Sequence, residues 1–335
     1  MAEKMRAVGY RKPLPVSDPA SLEDLEIPVP TPGPRDLLVR VEAVSVNPVD
    51  VKTRAATDPG GEPKILGYDA AGVVVATGAD VTLFSPGDEV YYAGSVGRPG
   101  TDAQFHAVDE RIVGLKPRSL TFAQAAALPL ATITAWETLF DRFRLTPESS
   151  GVLVALGAAG GVGSMITQLT RALTRLVVIG TASRPESQQW VLDHGAHHVV
   201  DHHDLVRGVR GITPDGVTHV FSPHTAGSIE AFAEILRPSG AITAIDEPEG
   251  LDILPLKDKS ISFHWEFMFT RPLHQPPDMI EQHELLDRVA QMVDEGTIRT
   301  TVRRELGPIS AETLREAHAM VEAGRMVGKV VISGW

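Results

Sequence analysis

Residues 151–163, GVLVALGAAGGVG, are the most informative stretch of this chain. An apolar run ends at Leu156, a turn of small residues follows at once, and the next residues, MITQLTRAL, have the pattern of a helix. The turn carries Ala158, Gly160 and Gly163 at the spacing of the GxGxxG motif, with alanine in the first place. Small side chains let a pyrophosphate approach the backbone, and a helix N-terminus offers free N–H groups and the positive end of its dipole. The stretch therefore predicts a dinucleotide-binding turn, whose candidate contacts are Ala158, Gly160, Gly161, Val162 and Gly163.

The bulk composition limits the classes of protein to which the chain can belong. Its 335 residues suit two domains, and its 43% apolar and 22% charged residues are typical of a globular enzyme. The net charge of −12 disfavours nucleic acids and anionic membranes as partners. The first residues, MAEKMRAVGYRKP, lack the apolar core of a signal peptide, so we expect a cytoplasmic location. The absence of cysteine excludes disulfides, thiolate nucleophiles and cysteine-bound zinc.

The order of elements along the chain predicts two different kinds of domain. From about residue 5 to about residue 115, short β-branched segments such as Leu37–Val46 alternate with Pro- and Gly-rich turns, which is typical of an all-β, barrel-like domain. From about residue 121 strands and helices alternate, as in a doubly wound parallel sheet. Ile261–Phe269 is a further strand candidate, whose alternating aromatic residues would lie in a substrate pocket, a sheet core or a dimer edge.

These features together resemble the medium-chain dehydrogenase/reductase superfamily, and within it the quinone oxidoreductase-like branch. The pieces specific to the superfamily are NPVD at 47–50 and AAGGVG at 158–163. TASRPES at 181–187 and SFHWEFMFTR at 262–271 are similar to a narrower group often called the zinc-binding alcohol dehydrogenase family. The resemblance covers nearly the whole chain. It implies an α/β fold class, in which residues 1–127 and 272–335 form a GroES-like β-barrel domain and residues 128–271 form a Rossmann domain with a doubly wound parallel sheet.

A zinc site is not expected despite that family label. Zinc-dependent relatives have a catalytic Cys where this chain has Asn47 and a His where it has Tyr68, and neither replacement is a good zinc ligand. Asp50 and Asp69 remain, but two carboxylates without His or Cys rarely hold zinc. The histidines at 197–198 and 202–203 straddle a strand end and the turn after it. Because neighbours on a strand point to opposite faces, we interpret them as solvated or nucleotide-facing.

The end of the second strand of the parallel sheet indicates which nucleotide binds. NAD-dependent enzymes typically place an acidic residue there to hold the ribose hydroxyls, but residues 180–185 contain neither Asp nor Glu. Ser183 by hydrogen bonding and Arg184 as a charged fork can instead meet a 2′-phosphate. Ser187 lies one helical turn on, and His202 is a further candidate on the adenosine side. The alternative is that Arg184 merely begins a solvated helix. We expect NADPH as the cofactor.

Hydride transfer to a conjugated acceptor is the easier chemistry for a site without a metal. Alcohol oxidation would lose the Lewis acid that stabilises an alkoxide. When hydride reaches the β carbon of an enone or quinone, the charge spreads to oxygen, where hydrogen-bond donors can stabilise it. The resemblance implies the same reaction, the reduction of a quinone or enone by NADPH.

The resemblance also implies the catalytic residues. Asn47 would orient the nicotinamide ribose or the substrate oxygen, and Asp50 would fix a neighbouring loop, unless it is a purely structural loop-capping acid. Lys52 stands where many relatives have Tyr, so here the chain departs from the family's pattern and the Tyr role is not carried over directly; a lysine at this position would donate to a developing oxyanion. Tyr68 would line the pocket, or would pack in the core.

Two further residues are expected near the cofactor. Thr134 falls where relatives contact the nicotinamide end, and its alternative is a hydrogen bond to its own helix backbone. Lys329, in the VGKVV segment near the C-terminus, would approach the cofactor or would be solvated.

We therefore expect a zinc-independent oxidoreductase that transfers hydride from NADPH to a small quinone or enone. A homodimer through the sheet edge near Ile261–Phe269 is expected from the resemblance. One alternative is an NADPH-dependent enoyl-thioester reductase, for which a basic entrance for the phosphopantetheine arm is not evident in the sequence. The other is a non-enzymatic NADPH-binding protein.

Overall fold

Two units make up the chain in the computed structural model, which describes residues 3–335. The first unit comprises the residues up to Ile133 together with Phe269–Trp335, and the second comprises Thr134–Met268. The sequence analysis placed the two divisions after residue 127 and before residue 272. Each unit contains a cluster of buried apolar side chains of its own.

The first unit begins with short strands. They are β1 (Lys4–Tyr10), β2 (Glu23–Pro28), β3 (Asp36–Ser45), β4 (Lys64–Ile65), β5 (Ala70–Thr77), β6 (Glu89–Tyr92), β7 (Phe105–Asp109) and β8 (Val113–Leu115). The helices of this part are α1 (Pro48–Ala56), α2 (Phe122–Ala126) and α3 (Pro129–Trp136). A π-helical segment, Glu137–Arg142, continues α3 into the second unit. Strands β2, β1 and β4 form a small antiparallel sheet.

The second unit alternates strands and helices. Its strands are β9 (Ser150–Ala155), β10 (Arg175–Thr181), β11 (His198–Val200), β12 (Val217–Ser222), β13 (Leu236–Ala244) and β14 (Ser262–Trp265), and its helices are α4 (Gly161–Leu173), α5 (Pro185–Asp193), α6 (Leu205–Ile212) and α7 (Ile229–Ile235). The six strands are parallel and lie in the order β11-β10-β9-β12-β13-β14. The order reverses at β9, which is the place where doubly wound sheets bind ligands. The predicted doubly wound parallel sheet is confirmed.

The C-terminal part of the chain returns to the first unit. Its elements are α8 (Thr270–His274), α9 (Glu281–Asp294), β15 (Val302–Leu306), α10 (Ala311–Glu322) and β16 (Lys329–Ser333). Strand β16 pairs antiparallel with β3, which places Val331 opposite Ser45. The resulting sheet runs β15-β16-β3-β5-β6-β8, and β7 also pairs with β3. Both ends of the chain thus build one sheet, and the predicted α/β fold class is confirmed.

Two predictions of local structure were wrong. The region expected to be all-β contains helix α1, because Pro48 supplies a helical φ at its first position and the Asp50 carboxylate accepts the N–H of Asn47 at 2.8 Å. The strand candidate at 261–269 is a strand only as far as Trp265. Its partner strand β13 ends at Ala244, which pairs with Trp265. The residues after Trp265 therefore have no neighbouring strand with which to pair.

The packing of α4 against the turn before it requires glycine at position 163. A Cβ there would lie 2.4 Å from the Gly157 carbonyl oxygen and 2.5 Å from the Ala158 Cα. These atoms are backbone and cannot rotate away, so the methyl group would push helix and turn apart. A Cβ at Gly160 would meet the Gly157 oxygen at an ordinary 3.4 Å.

We expect Gly163→Ala to lower the free energy of unfolding by about 1–3 kcal/mol, the usual cost of overpacking. Gly160→Ala is the matched control; it meets no close backbone contact, and it should cost less than about 1 kcal/mol, the loss of a favourable N-cap residue. Urea denaturation followed by circular dichroism measures both. Equal stabilities for the two variants would contradict this view of the turn.

Candidate functional site

The turn between β9 and α4 has the geometry of an anion-binding elbow. Gly157 takes a left-handed conformation with φ of +60°, and its carbonyl accepts the N–H of Gly160 at 2.9 Å. The N–H of Ser164 bonds to the Gly160 carbonyl at 2.9 Å, so the N–H groups of residues 161–163 precede it in the first turn of α4. The Thr181 hydroxyl accepts the N–H of Gly157 at 3.1 Å and ties the elbow to the end of β10. The elbow thus offers backbone donors to an anionic group.

Of the residues after β10, Ser183 and Arg184 lie on the surface and Ser187 caps the next helix. Ser183 and Arg184 are exposed where the strand has ended. Ser187 is buried, and its hydroxyl donates to the Arg184 carbonyl at 2.9 Å and accepts the Arg184 N–H at 3.3 Å. Ser187 was expected close to a phosphate, but its hydroxyl is committed to capping α5. Of the three candidates in this segment, Ser183 and Arg184 are thus the two with exposed side chains.

The histidines around β11 lie where the sequence analysis placed them, at a strand and in the turn after it. The strand ends at Val200, and His202 and His203 lie in a 3₁₀ turn. Their rings are therefore neighbours, with centroids 4.0 Å apart, and do not point to opposite faces. The Ala182 N–H donates to the Val200 carbonyl at 3.0 Å, which brings this turn next to the end of β10. His202 is exposed on the same edge of the sheet as Ser183.

A buried polar cluster in the first unit joins residues that lie far apart in the chain. The ammonium of Lys329 donates to Asp69 Oδ2 at 3.0 Å, to the Val46 carbonyl at 3.3 Å and to Asn47 Oδ1. Asn47 Nδ2 also donates to Asp69 Oδ2, at 2.7 Å. The N–H of Leu130 at the start of α3 donates to Asp69 Oδ1 at 2.7 Å. Lys329 is thus neither solvated nor available to another acceptor, because each of its three ammonium hydrogens has an acceptor in the protein.

The donor set of this cluster does not fit zinc. Zinc sites are built from thiolates, imidazoles and carboxylates with open lone pairs, whereas this cluster offers an amide and one carboxylate. Asp69 Oδ2, its best ligand atom, already accepts from both Asn47 and Lys329. The Lys329 ammonium lies beside Asn47, the residue that stands where zinc-dependent relatives have a cysteine. Its positive charge would repel a divalent cation at that position.

Asp50 is hydrogen-bonded to Gly67, the residue before Tyr68. Asp50 accepts the Asn47 N–H at 2.8 Å and the Gly67 N–H at 3.0 Å, so it fixes both the start of α1 and the neighbouring loop. Burial raises the pKa of the Asp50 carboxyl to about 7, against the effect of these two hydrogen bonds. Tyr68 is fully buried with its ring edge-on to Phe269 at 5.4 Å. Its hydroxyl has no hydrogen-bond partner within residues 3–335, and burial raises its pKa, so it keeps its proton.

The expected site residues divide between the two units. Asn47, Asp50, Tyr68 and Lys329 are held close together in the first unit, where Lys52 is exposed on α1. The elbow, Ser183, Arg184 and His202 belong to the second unit, which begins at Thr134 within α3. The sequence analysis mentioned Asp69 only as a weak metal ligand and so missed its role as the centre of the polar cluster. Its position beside Tyr68 in the GYD segment was the available signal.

We expect Lys329→Met to destabilise the protein by about 3–5 kcal/mol, because it leaves the buried Asp69 carboxylate without its cation. Lys329→Met combined with Asp69→Asn should recover most of that loss, since neither charge remains. Lys12→Met, at an exposed lysine of the same unit, serves as the control and should change stability little. Urea denaturation measures all three; a double variant as unstable as the single one would show that the pair is not coupled.

Known families and relatives match both units. Residues 33–136 match the alcohol dehydrogenase GroES-like domain, and residues 194–332 match the zinc-binding dehydrogenase family. The chain is 41% identical to a zinc-type alcohol dehydrogenase-like protein of Staphylococcus aureus (strain COL), over 98% of this chain and 100% of that protein. A solved structure from Rhizobium etli CFN 42, named as a candidate zinc-dependent alcohol dehydrogenase, is 51% identical with a TM-score of 0.96, over 100% of this chain and 99% of that one.

More distant relatives have names that state a reaction. The 2-methylene-furan-3-one reductase of Solanum lycopersicum is 30% identical over 91% of this chain and 74% of that protein. The Escherichia coli quinone oxidoreductase, solved in complex with NADPH, shares the fold with a TM-score of 0.82 at 21% identity, over 98% of this chain and 99% of that one. The chain belongs to the medium-chain dehydrogenase/reductase superfamily, in its quinone oxidoreductase-like branch, and is an oxidoreductase of the general type found in that superfamily.

Proposed function

We propose that this protein reduces conjugated carbonyl compounds, quinones or enones, with NADPH and without zinc. The single observation that carries the choice of nucleotide is the exposed pair Ser183 and Arg184 after β10, in a segment without an acidic residue. A guanidinium and a hydroxyl there attract a 2′-phosphate, whereas the carboxylate typical of NAD enzymes would repel it. His202, on the neighbouring turn, adds a further polar group on the adenosine side.

The elbow supplies the second part of the nucleotide site. Backbone N–H groups at the start of α4 bind the pyrophosphate, and small residues at positions 158, 160 and 163 leave room for it. When bound, NADPH supplies the hydride. The close packing at Gly163 sets the direction of these donors, because it fixes α4 against the Gly157 carbonyl.

The first unit supplies electrostatic stabilisation without a metal. The hydrogen bonds of the Lys329 ammonium are used within the protein, so we assign to Lys329 and Asn47 the role of fixing Asp69 and the start of α3. Tyr68 is a hydroxyl that keeps its proton and has no acceptor among the described residues. We assign it the donation of a hydrogen bond to the oxygen on which negative charge develops, with Lys52 as a second donor. The tomato relative, an enone reductase by name, supports this acceptor class.

A second copy of the chain is the proposed partner. Strand β14 is the edge of the parallel sheet, and its outer side has unpaired backbone groups within the described chain. Trp265 at its end is 51% exposed and Leu254 nearby in the sequence is 67% exposed, which is high for large apolar side chains. Burying this edge in a homodimer would remove both from water.

Substitution at the end of β10 tests the nucleotide assignment. We expect Arg184→Ala to lower the ratio of kcat/KM for NADPH to that for NADH by about 10- to 100-fold, the effect of one charge-assisted hydrogen bond worth about 1.5–3 kcal/mol. Ser183→Asp should invert the preference, because a carboxylate repels the phosphate and binds ribose hydroxyls. Arg175→Ala, an exposed arginine at the opposite end of the same strand, is the matched control. An unchanged ratio in Arg184→Ala would remove that residue from the site.

A screen of acceptors tests the reaction itself. NADPH oxidation should be seen with quinones and enones, and dialysis against a strong zinc chelator should leave the rate unchanged, since the donor set does not fit zinc. Faster turnover of enoyl thioesters than of quinones and enones would favour the alternative function, an NADPH-dependent enoyl-thioester reductase. Nucleotide binding without turnover of any acceptor would favour a non-enzymatic NADPH-binding protein. Loss of activity on chelation would contradict the zinc-free proposal.

A further inference from the structure

The indole of Trp190, on α5, is hydrogen-bonded to the first turn of α4. Its Nε1–H donates to the Ser164 hydroxyl oxygen at 2.9 Å. The Ser164 side chain is fully buried, and its own hydrogen donates to the Gly160 carbonyl at 2.7 Å. Gly160 is the N-cap residue of α4. An indole and a hydroxyl have one donor each, so both donors are used, and the two bonds join α5 to the elbow.

The Trp190 ring is held in place by its own helix. It stacks on the ring of His194, one turn later, with the centroids 4.1 Å apart. His194 is buried, and its Nδ1 donates to the Trp190 carbonyl at 2.8 Å. A stacked ring with a single donor can donate in one direction only. The link between α5 and α4 is therefore a rigid one.

The same bond decides what the Ser164 hydroxyl does. A serine in the first turn of a helix can donate its hydroxyl hydrogen to a phosphate bound at that helix end. Here the Trp190 N–H occupies one side of the oxygen, and the hydroxyl hydrogen is directed to the Gly160 carbonyl. Ser164 thus belongs to the link between the helices, and the backbone N–H groups of the elbow are left for the pyrophosphate.

The two linked helices begin at the two anion-binding places of the proposed function. Helix α5 begins after Arg184, its N-cap residue, and α4 begins at the elbow. Both also pack against β10 at Gly180. A Cβ there would lie 2.4 Å from Val191 Cγ1 of α5 and 2.9 Å from Ala158 Cβ of the elbow. The spacing between the two anion-binding places is therefore set by contacts between α5, β10 and α4.

We propose that Trp190 is a positioning residue that sets the preference for NADPH. Its hydrogen bond to Ser164 holds the 2′-phosphate contacts, Ser183 and Arg184, at a fixed distance from the elbow. NADPH is one molecule that must meet both places at once, so a change in their spacing weakens its binding. NADH carries no 2′-phosphate and is less sensitive to that spacing. The inference rests on the proposed nucleotide site.

The first arm of the test is the binding of both nucleotides to Trp190→Phe, measured by isothermal titration calorimetry. Phenylalanine keeps an aromatic ring beside His194 and removes the N–H. We expect the Kd for NADPH to rise about fivefold, the effect of one neutral hydrogen bond, and the Kd for NADH to change by less than about twofold. A variant that keeps the parent's full preference for NADPH would overturn the proposal.

Trp335→Phe is the matched control for this arm. It also removes an indole N–H, one that donates to the Val41 carbonyl at 3.1 Å, but it lies in the first unit. Both Kd values should stay within about twofold of the parent's. An equal loss of NADPH preference in this control would show that the effect is not specific to the link between α5 and α4, and would overturn the proposal.

The second arm removes the acceptor of the same bond. Ser164→Ala should give the same selective rise in the Kd for NADPH. The double variant with Trp190→Phe should be no weaker than either single variant, because all three lack the same bond. Equal weakening of NADPH and NADH in Ser164→Ala, without an effect of Trp190→Phe, would show that Ser164 binds phosphate directly and would overturn the positioning role.

Steady-state kinetics separates positioning from a loss of stability. In Trp190→Phe the KM for NADPH should rise about fivefold while kcat stays within about twofold, because the residues assigned to the acceptor oxygen are unchanged. A fall in kcat for both nucleotides with KM unchanged is the mark of fewer folded molecules, and it would overturn the positioning role. A parent without a preference for NADPH would overturn the proposed nucleotide site and this inference together. A parent that prefers NADPH, with a variant that prefers it equally, would overturn this inference alone.

Discussion

The ion pair between Lys329 and Asp69 is the interaction on which the first unit depends. It connects the last strand of the chain with the segment before β5, and through Asn47 and Leu130 it also sets the starts of α1 and α3. Both charges are buried, so their desolvation is offset only because every ammonium hydrogen and both carboxylate oxygens are hydrogen-bonded. A cluster of this kind holds the ends of the chain together and places a positive charge next to the position that zinc-dependent relatives use for a metal ligand.

The same arrangement is the basis of the proposal that this oxidoreductase, whose relatives have zinc in their names, works without that ion. Lewis acidity is needed most when the product of hydride transfer is a localised alkoxide. A conjugated acceptor spreads the charge, and a hydroxyl that keeps its proton, such as that of Tyr68, then suffices as a donor. The chemistry proposed for this chain therefore follows from two properties of its buried residues: they do not fit a zinc ion, and they include a hydroxyl that can donate a hydrogen bond.

Much of the fold was predictable from the sequence, because it depends on local patterns. The glycine turn at 157–163 and the alternation of strands and helices after it identified the parallel sheet. The helix at Pro48–Ala56 was missed because its start depends on the Asp50 carboxylate folding back onto Asn47, which is weak as a sequence signal. The strand at 262–265 was predicted too long because its end is set by the end of β13, a distant segment.

The site was less predictable, because its polar groups meet across long stretches of chain. Lys329 and Asp69 are paired, and so are Glu266 and Arg142, yet spacing in the sequence indicates neither pair.

The most direct measurement of the central claim is a crystal structure of the protein soaked with NADPH and zinc, with anomalous data collected at the zinc edge. The account predicts the pyrophosphate on the elbow at the start of α4, the 2′-phosphate against Ser183 and Arg184, and no anomalous peak beside Asn47 and Tyr68. An empty elbow, or a fully occupied zinc ion between Asn47 and Tyr68, would contradict it.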